Sequence, residues 1–158
     1  MMLNSRESVL TNHQNSLMSY WTSICRDGRL PTRRDINPVQ LGGALANTSL
    51  VEKTGWDFRF RLTGSRINAL FGGDRPDELL EKIDASIEEA GTSSMELALE
   101  TGRPVSGSRQ VGARWHFWLR IPLLDDEGQR TLVLCLDEFP SRPPVTDVSE
   151  SMAERIVA

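Results

Sequence analysis

The sequence predicts a single α+β domain, and three observations support this. The 158 residues are close to the length of one ordinary domain, about 100–150 residues. Alternating apolar and polar residues, typical of strands, occur in two groups, one before and one after the middle of the chain. Helical spacing of apolar residues precedes the first group and fills the gap between the two.

The first predicted element is an amphipathic helix from Gln14 to Arg26, which Asp27 and Gly28 can end. Apolar residues recur along it at steps of three and four, so they form one stripe. We expect this stripe to dock, either on its own subunit or across a dimer. It consists of Leu17, Tyr20, Trp21 and Ile24.

A short second helix and a hairpin are predicted next. Asn37 can cap the helix, which runs to about Ala44, and Pro38 fits its first position because a missing N–H costs nothing there. Residues 47–64 predict two strands joined by a turn at Gly55. On the second strand one face carries Phe58, Phe60 and Leu62, and the other carries Asp57, Arg59, Arg61 and Thr63.

Three short helices are predicted in the middle of the chain. Ser65 can cap the first and Pro76 can open the second. Ser93 and Glu96 have the spacing of a capping box for the third, which Gly102 closes.

Three further strands are predicted at about residues 104–111, 114–123 and 130–136. The middle one alternates clearly, with Trp115, Phe117, Leu119 and Ile121 on one face and Arg114, His116, Trp118 and Arg120 on the other. The organisation expected is an N-terminal helical extension (1–28), a central domain (29–138) and a proline-rich, polar C-terminal tail (139–158).

The order of these elements and several short motifs resemble a family of short bacterial single-domain PAS proteins. The motifs lie between about residues 17 and 137, and their order is the specific part. They are Leu30, Pro31, Arg33, Asp35, Pro38 and Leu41 ahead of the first strand, the strand Phe58 to Leu62, then Gly64, Gly102 and Pro104. The resemblance implies a five-stranded antiparallel sheet with short helices over one face, working as a sensory or protein-interaction module.

The resemblance also implies a place for a ligand, between the helices and the sheet face that they cover. We expect that face to carry the apolar sets of the second and fourth strands. A small organic ligand is not required by the sequence, and a filled core is the alternative, because apolar faces usually pack densely. The candidate pocket residues are Phe58, Phe60, Leu62, Phe71, Leu97, Trp115, Phe117 and Leu119.

The opposite sheet face is a candidate interface, because Trp and Arg are enriched at binding hot spots. Thr131, Val133 and Cys135 extend its apolar part. We expect this face to bind the N-terminal helix or a second subunit; a solvated arginine face is the alternative. The candidate interface residues are Arg59, Arg61, Arg114, His116, Trp118 and Arg120.

Catalytic and metal chemistry is not indicated. Haem ligation by His116 is disfavoured because its parity places it on the uncovered face, and the acids occur in surface runs with no histidine or cysteine cluster beside them. A small cone-shaped isomerase or dehydratase is the alternative function. Such an enzyme needs a buried acid or His/Asp pair, and none of Asp57, Asp137 and Glu138 is expected to face inward.

Composition and net charge indicate which kinds of partner the protein binds. A net charge of −4 disfavours nucleic-acid binding, and neither an apolar run long enough to cross a membrane nor a secretory signal is present. The two cysteines are expected to be reduced, in the cytoplasm. The function expected is a non-enzymatic regulatory module and homodimer that contacts a signalling protein in trans, with gating by a small ligand left open. A dimerisation adaptor without ligand is the third alternative.

Overall fold

The computed structural model describes residues 9–71 and 91–142, and the second predicted middle helix lies outside them. The helices are α1 (Asn12–Ile24), α2 (Ser65–Phe71) and α3 (Thr92–Thr101), with 3-10 helices at Arg33–Asp35 and Pro38–Asn47. The strands are β1 (Thr48–Thr54), β2 (Asp57–Thr63), β3 (Val105–Val111), β4 (Arg114–Leu124) and β5 (Arg130–Glu138).

The five strands form one antiparallel sheet in the order β2-β1-β5-β4-β3. Strands that follow each other in the chain pair as hairpins in β1–β2, β3–β4 and β4–β5. Strands β1 and β5 also pair, although they lie far apart in the sequence. The predicted α+β fold with a five-stranded antiparallel sheet is confirmed.

Helices cover both faces of this sheet in the described part of the chain. On one, which we call the α3 face, the core is formed by Val51, Phe58, Phe60, Val133 and Cys135 against Ile67 of α2 and Met95 and Leu99 of α3. On the other, the α1 face, it is formed by Leu50, Leu119, Ile121, Leu123, Leu132, Leu134 and Leu136 against Leu17, Leu41 and Ala44. Residues His116 to Leu123 of β4 are buried on both faces.

The predicted grouping of the apolar sets was wrong. Residues paired directly across strands share a face, and the observed register pairs Cys135 with Arg120 and Ile121 with Leu134. Phe58 and Phe60 therefore share the α3 face with Arg120, whereas Leu119 and Ile121 belong to the α1 face. Alternation sorts the residues of one strand into two sets, but only the register says which sets of two strands belong together.

A bulge in β2 moves Leu62 off the face that it was predicted to share with Phe58 and Phe60. Val51 pairs with Phe60 but Leu50 pairs with Leu62, so one extra residue, Arg61, is accommodated in β2. An extra residue reverses the alternation beyond it. Leu62 accordingly lies on the α1 face, with 57% of its surface exposed.

The N-terminal helix docks in its own subunit, on the α1 face. Leu17 is buried in that core, and Tyr20 and Trp21 pack against it. The Trp21 indole N–H donates to the carbonyl of Pro122 on β4, at 3.3 Å. The predicted alternative, docking on the face of Trp118 and Arg120, was wrong, because α3 covers that face. Ile24 lies half-buried at the end of the helix.

A capping box starts α1 earlier than predicted. The Thr11 hydroxyl accepts from the Gln14 N–H and the Gln14 side chain accepts from the Thr11 N–H, both at 3.0 Å. Two helix-terminal donors are thereby satisfied. The sequence placed the start at Gln14, inside the first turn.

Candidate functional site: a buried ionic cluster on the α3 face

Three charged or titratable side chains meet under α3, and each is at most 2% exposed: His116 and Arg120 of β4 and Asp137 of β5. The Arg120 guanidinium binds the Asp137 carboxylate with two nitrogens, at 2.8 and 3.1 Å. His116 Nε2 lies 2.7 Å from Asp137 Oδ1. We call these three residues the ionic cluster.

Strand geometry brings the cluster together. Asp137 is paired directly with Trp118. His116 and Arg120 lie two residues to either side of Trp118 and so point to the same face. One carboxylate therefore lies between a histidine and an arginine of the neighbouring strand.

Helix α3 is attached to the cluster through Ser94. The Arg120 Nε–H donates to the Ser94 hydroxyl at 3.2 Å, and that hydroxyl donates to the Gly91 carbonyl at 2.8 Å. The predicted capping box of Ser93 and Glu96 was wrong: Gly91 occupies the cap position without a side-chain cap bond, and Glu96 forms an ion pair with Lys53 of β1.

Electrostatics keep the carboxylate ionised. Burial by itself raises the pKa of Asp137, but the charge of Arg120 and hydrogen bonds from His116 and Arg120 outweigh burial and lower the pKa to about 2. The charge of Asp137 likewise outweighs burial at Arg120, whose pKa is raised. Cys135, beside them, is a buried thiol whose pKa burial raises to about 12 despite the charge of Arg120. It is therefore not a thiolate nucleophile.

His116 has one satisfied and one unsatisfied ring nitrogen. Since the ionised Asp137 can only accept, Nε2 carries the proton of their hydrogen bond. The ring stacks on Phe139, with centroids 4.4 Å apart, and lies 5.3 Å from the Trp118 ring. Its Nδ1 atom is buried and has no hydrogen-bond partner among the residues that the structure describes. Such atoms are rare, because leaving a buried polar group unpaired costs about 1–3 kcal/mol.

Glu138, which follows Asp137 on β5, contacts the start of α1 on the opposite face of the sheet. Glu138 accepts a hydrogen bond from the Thr11 hydroxyl, at the cap of α1. The His13 Nδ1 atom lies 3.2 Å from the other Glu138 oxygen. Two consecutive carboxylates, Asp137 and Glu138, thus connect the ionic cluster to the start of α1.

Three of the six residues predicted to form an interface are buried, so the prediction was wrong for them. His116, Trp118 and Arg120 are buried, whereas Arg59, Arg61 and Arg114 are exposed. The paired residue Gly107 leaves room for the Trp118 ring, since a Cβ there would lie 2.2 Å from the indole. Arg61 binds Glu52 with two nitrogens, both at 2.9 Å. A binding role for the exposed arginines stays a prediction.

The predicted pocket set is divided between the two faces. Phe58 and Phe60 lie in the α3-face core. The α1 face carries Leu119 in its core and Leu62 at its edge, and the alternation of β4 places buried Phe117 and half-buried Trp115 there too. Leu97 is 47% exposed, and the side chain of Phe71 lies outside the described residues.

The expectation that no His/Asp pair faces inward was wrong, because Asp137 forms such a pair with His116. Alternation alone placed His116 and Arg120 on one face, but helices were assigned to the other face. A histidine and an arginine four residues apart on a strand, with an acid on the next strand, was the signal that could have indicated the cluster.

Within residues 9–71 and 91–142, no three His, Cys, Asp or Glu side chains are grouped as a metal would need. No helix in the same ranges has the length and apolar character needed to span a membrane.

Comparison with known proteins gives a match to one family and fold likenesses among solved structures. The sequence model of the family described as PAS domain matches residues 10–113. Among solved structures 37 chains match. One of them, reported as "Flavin Analogue Sheds Light on Light-Oxygen-Voltage Domain Mechanism", has 19% identity and a TM-score of 0.46, covering 74% of this chain and 87% of its own. No curated protein matches.

Replacing Arg120 tests the ionic cluster. Arg120→Met leaves the buried Asp137 without its counter-charge, which should lower the free energy of unfolding by about 3–5 kcal/mol. Arg61→Met breaks an exposed two-nitrogen pair and should cost far less, because solvent screens that pair. Urea unfolding measures both. Equal losses in the two variants would show that Asp137 does not depend on Arg120.

Acid titration tests the ionised state of Asp137. Because its folded pKa lies below the unfolded value, its contribution to stability is complete above about pH 4 and disappears as the pH falls towards 2. Between pH 5 and 2 the wild type should therefore lose about 2 kcal/mol more than Asp137→Asn. Urea unfolding at fixed pH values measures the difference, and parallel curves for the two proteins would contradict an ionised Asp137.

Proposed function

The chain belongs to the PAS domain family, and on that premise we propose that it is a non-enzymatic sensory module that detects a small polar ligand and signals by direct protein contact. The observation that carries the proposal is the buried Nδ1 atom of His116, which has no partner inside the ionic cluster. A buried charged network is a costly way to stabilise a core. A ligand-binding role accounts for it better than packing alone.

The ligand chemistry follows from the tautomer of His116. In the neutral ring with its proton on Nε2, Nδ1 offers a lone pair, so the matching ligand group is a hydroxyl or N–H donor. Phe139 and Trp118 hold the ring in place, and Asp137 fixes its tautomer. We infer a neutral polar ligand, since Arg120 already shares its charge with Asp137.

The signal has a short path to the other sheet face. A ligand that moves His116 also moves Asp137, and the next residue, Glu138, holds Thr11 and His13 at the start of α1. Strand β4 adds a second path, because Trp21 of α1 donates to the Pro122 carbonyl. Helix α1 is accordingly the proposed output element.

The proposed partner is a protein, with a second copy of the chain as the first candidate. Arg59 and Arg114 of the predicted interface set remain exposed and available for contact. Trp56, in the turn between β1 and β2, is 97% exposed and adds an aromatic of the type found at hot spots. The net charge of −4 favours a protein partner over nucleic acid.

An enzyme is the second candidate, and the His116–Asp137 pair is the observation that favours it. A carboxylate that orients a histidine is a common catalytic arrangement. Here, however, Arg120 occupies the same carboxylate, and a pKa of about 2 makes Asp137 a weak base near neutral pH. A sensor should release its ligand chemically unchanged, and an enzyme should convert it.

Native mass spectrometry of the freshly purified protein tests the sensor function. We expect a dimer that carries one small molecule per subunit, and at least a tenfold lower occupancy in His116→Gln, because a glutamine cannot keep the geometry set by Asp137. His13→Gln is the matched control, since His13 is 43% exposed and lies outside the cluster.

Each outcome of this experiment distinguishes the functions. A bare dimer in all three proteins would favour a ligand-free dimerisation adaptor. A molecule retained equally by His116→Gln would exclude the ionic cluster as its site. A mass that changes with incubation would support the enzyme.

Hydrogen exchange tests the path to α1. We expect His116→Gln to speed exchange of the α1 amides several-fold in the wild-type background, and to have no further effect once Glu138→Gln is present, because linked changes are not additive. The amides of α2 serve as the reference. Effects on α1 that add in the double variant would contradict a path through Glu138.

A further inference from the structure

A second candidate site lies on the α1 face, on the side of the sheet opposite His116. It is a half-open apolar groove of about 760 Å³, within the range of about 300–1,000 Å³ that is typical of small-molecule sites. Leu50, Leu123 and Leu134 of three strands line it, and Leu41 and Leu45 of the long 3-10 helix face them.

The groove exists because one of its walls, the long 3-10 helix, carries few side-chain atoms. The 3-10 helix has two consecutive glycines there, and Gly42 has a positive φ of 53°. A Cβ at Gly42 would meet no atom within 4 Å. At the other end, Gly64 lets α2 approach closely, since a Cβ there would lie 2.3 Å from the Ala46 carbonyl oxygen. The groove is therefore held open by tight packing beside it.

The bulge in β2 adds an apolar residue to the groove. In a regular strand without the bulge, Leu62 would share the α3 face with Phe60; with the bulge, Leu62 pairs with Leu50 and lines the groove. Leu62 and Leu45 remain 57% and 44% exposed. Two leucines so exposed beside one cavity form an apolar surface that a ligand could cover.

Among the described residues that line the groove, Arg33 is the one that carries a charge. Within the described part of the chain it forms no ion pair with a carboxylate. The carboxylate of Glu52, whose pKa Arg33 helps to lower, already binds Arg61 through two nitrogens. The Arg33 guanidinium is thus available to an anion at the groove.

We propose that this groove binds an amphipathic monocarboxylate, with its apolar chain against Leu50, Leu62 and Leu123 and its carboxylate at Arg33. The apolar floor matches the chain, and an unpaired guanidinium matches the carboxylate. The site lies across the sheet from His116, so it does not depend on the function proposed for the ionic cluster.

Calorimetric titration of the full chain with decanoate tests the proposal. Decanol, which has the same chain without the charge, should bind at least threefold more weakly. Leu62→Glu should weaken decanoate binding by about tenfold, through lost apolar contact and added repulsion. Arg33→Gln should weaken it by about three- to fivefold, as expected for an exposed ion pair.

Two variants outside the groove serve as matched controls. Leu97→Glu changes a leucine of similar exposure on α3, and Arg34→Gln changes the next arginine, which pairs with Asp126 at 3.4 Å. Both should bind decanoate like the wild type. Absence of binding, or equal losses in Leu62→Glu and Leu97→Glu, would overturn the site. Equal affinity for decanol and decanoate would overturn the assignment of Arg33.

Discussion

The buried carboxylate of Asp137 is the constraint on which the α3 face depends. An ionised group that is 2% exposed is stable only when it is paired and hydrogen-bonded. Arg120 supplies the counter-charge, His116 a further donor, and Ser94 connects the arginine to α3. The same three contacts therefore hold two strands and a helix in one arrangement, and any change in one of them is felt by the others.

This arrangement also relates the two faces of the sheet. Strand β4 is buried on both sides over most of its length, so its His116 and Arg120 belong to the ionic cluster while its Leu119 and Ile121 belong to the core below α1. On β5, Asp137 lies on the α3 face and the next residue, Glu138, lies on the α1 face. A sensory domain needs such a connection, because a ligand on one side can affect a partner on the other only through elements that both contact.

The sequence predicted most of the backbone and little of the site. Glycine turns, proline and local alternation are local signals, and they located the five strands and the described helices near their observed ends. Which faces belong together depends on register, and the bulge at Arg61 has no local signal. Alternation does not reveal the cluster for that reason: it groups His116 and Arg120 correctly, but it does not show that α3 covers their face. The groove beside Gly42 depends on three strands meeting, which a single segment does not reveal.

We propose that His116 presents an unprotonated Nδ1 to a ligand while Asp137 holds its Nε2 proton. Nitrogen-15 NMR of the imidazole rings tests this directly, since the chain has two histidines and His13→Gln assigns the signals. We expect a protonated Nε2 and an unprotonated Nδ1 for His116. A proton on Nδ1 would contradict it, because the atom proposed to accept the ligand would then be a donor.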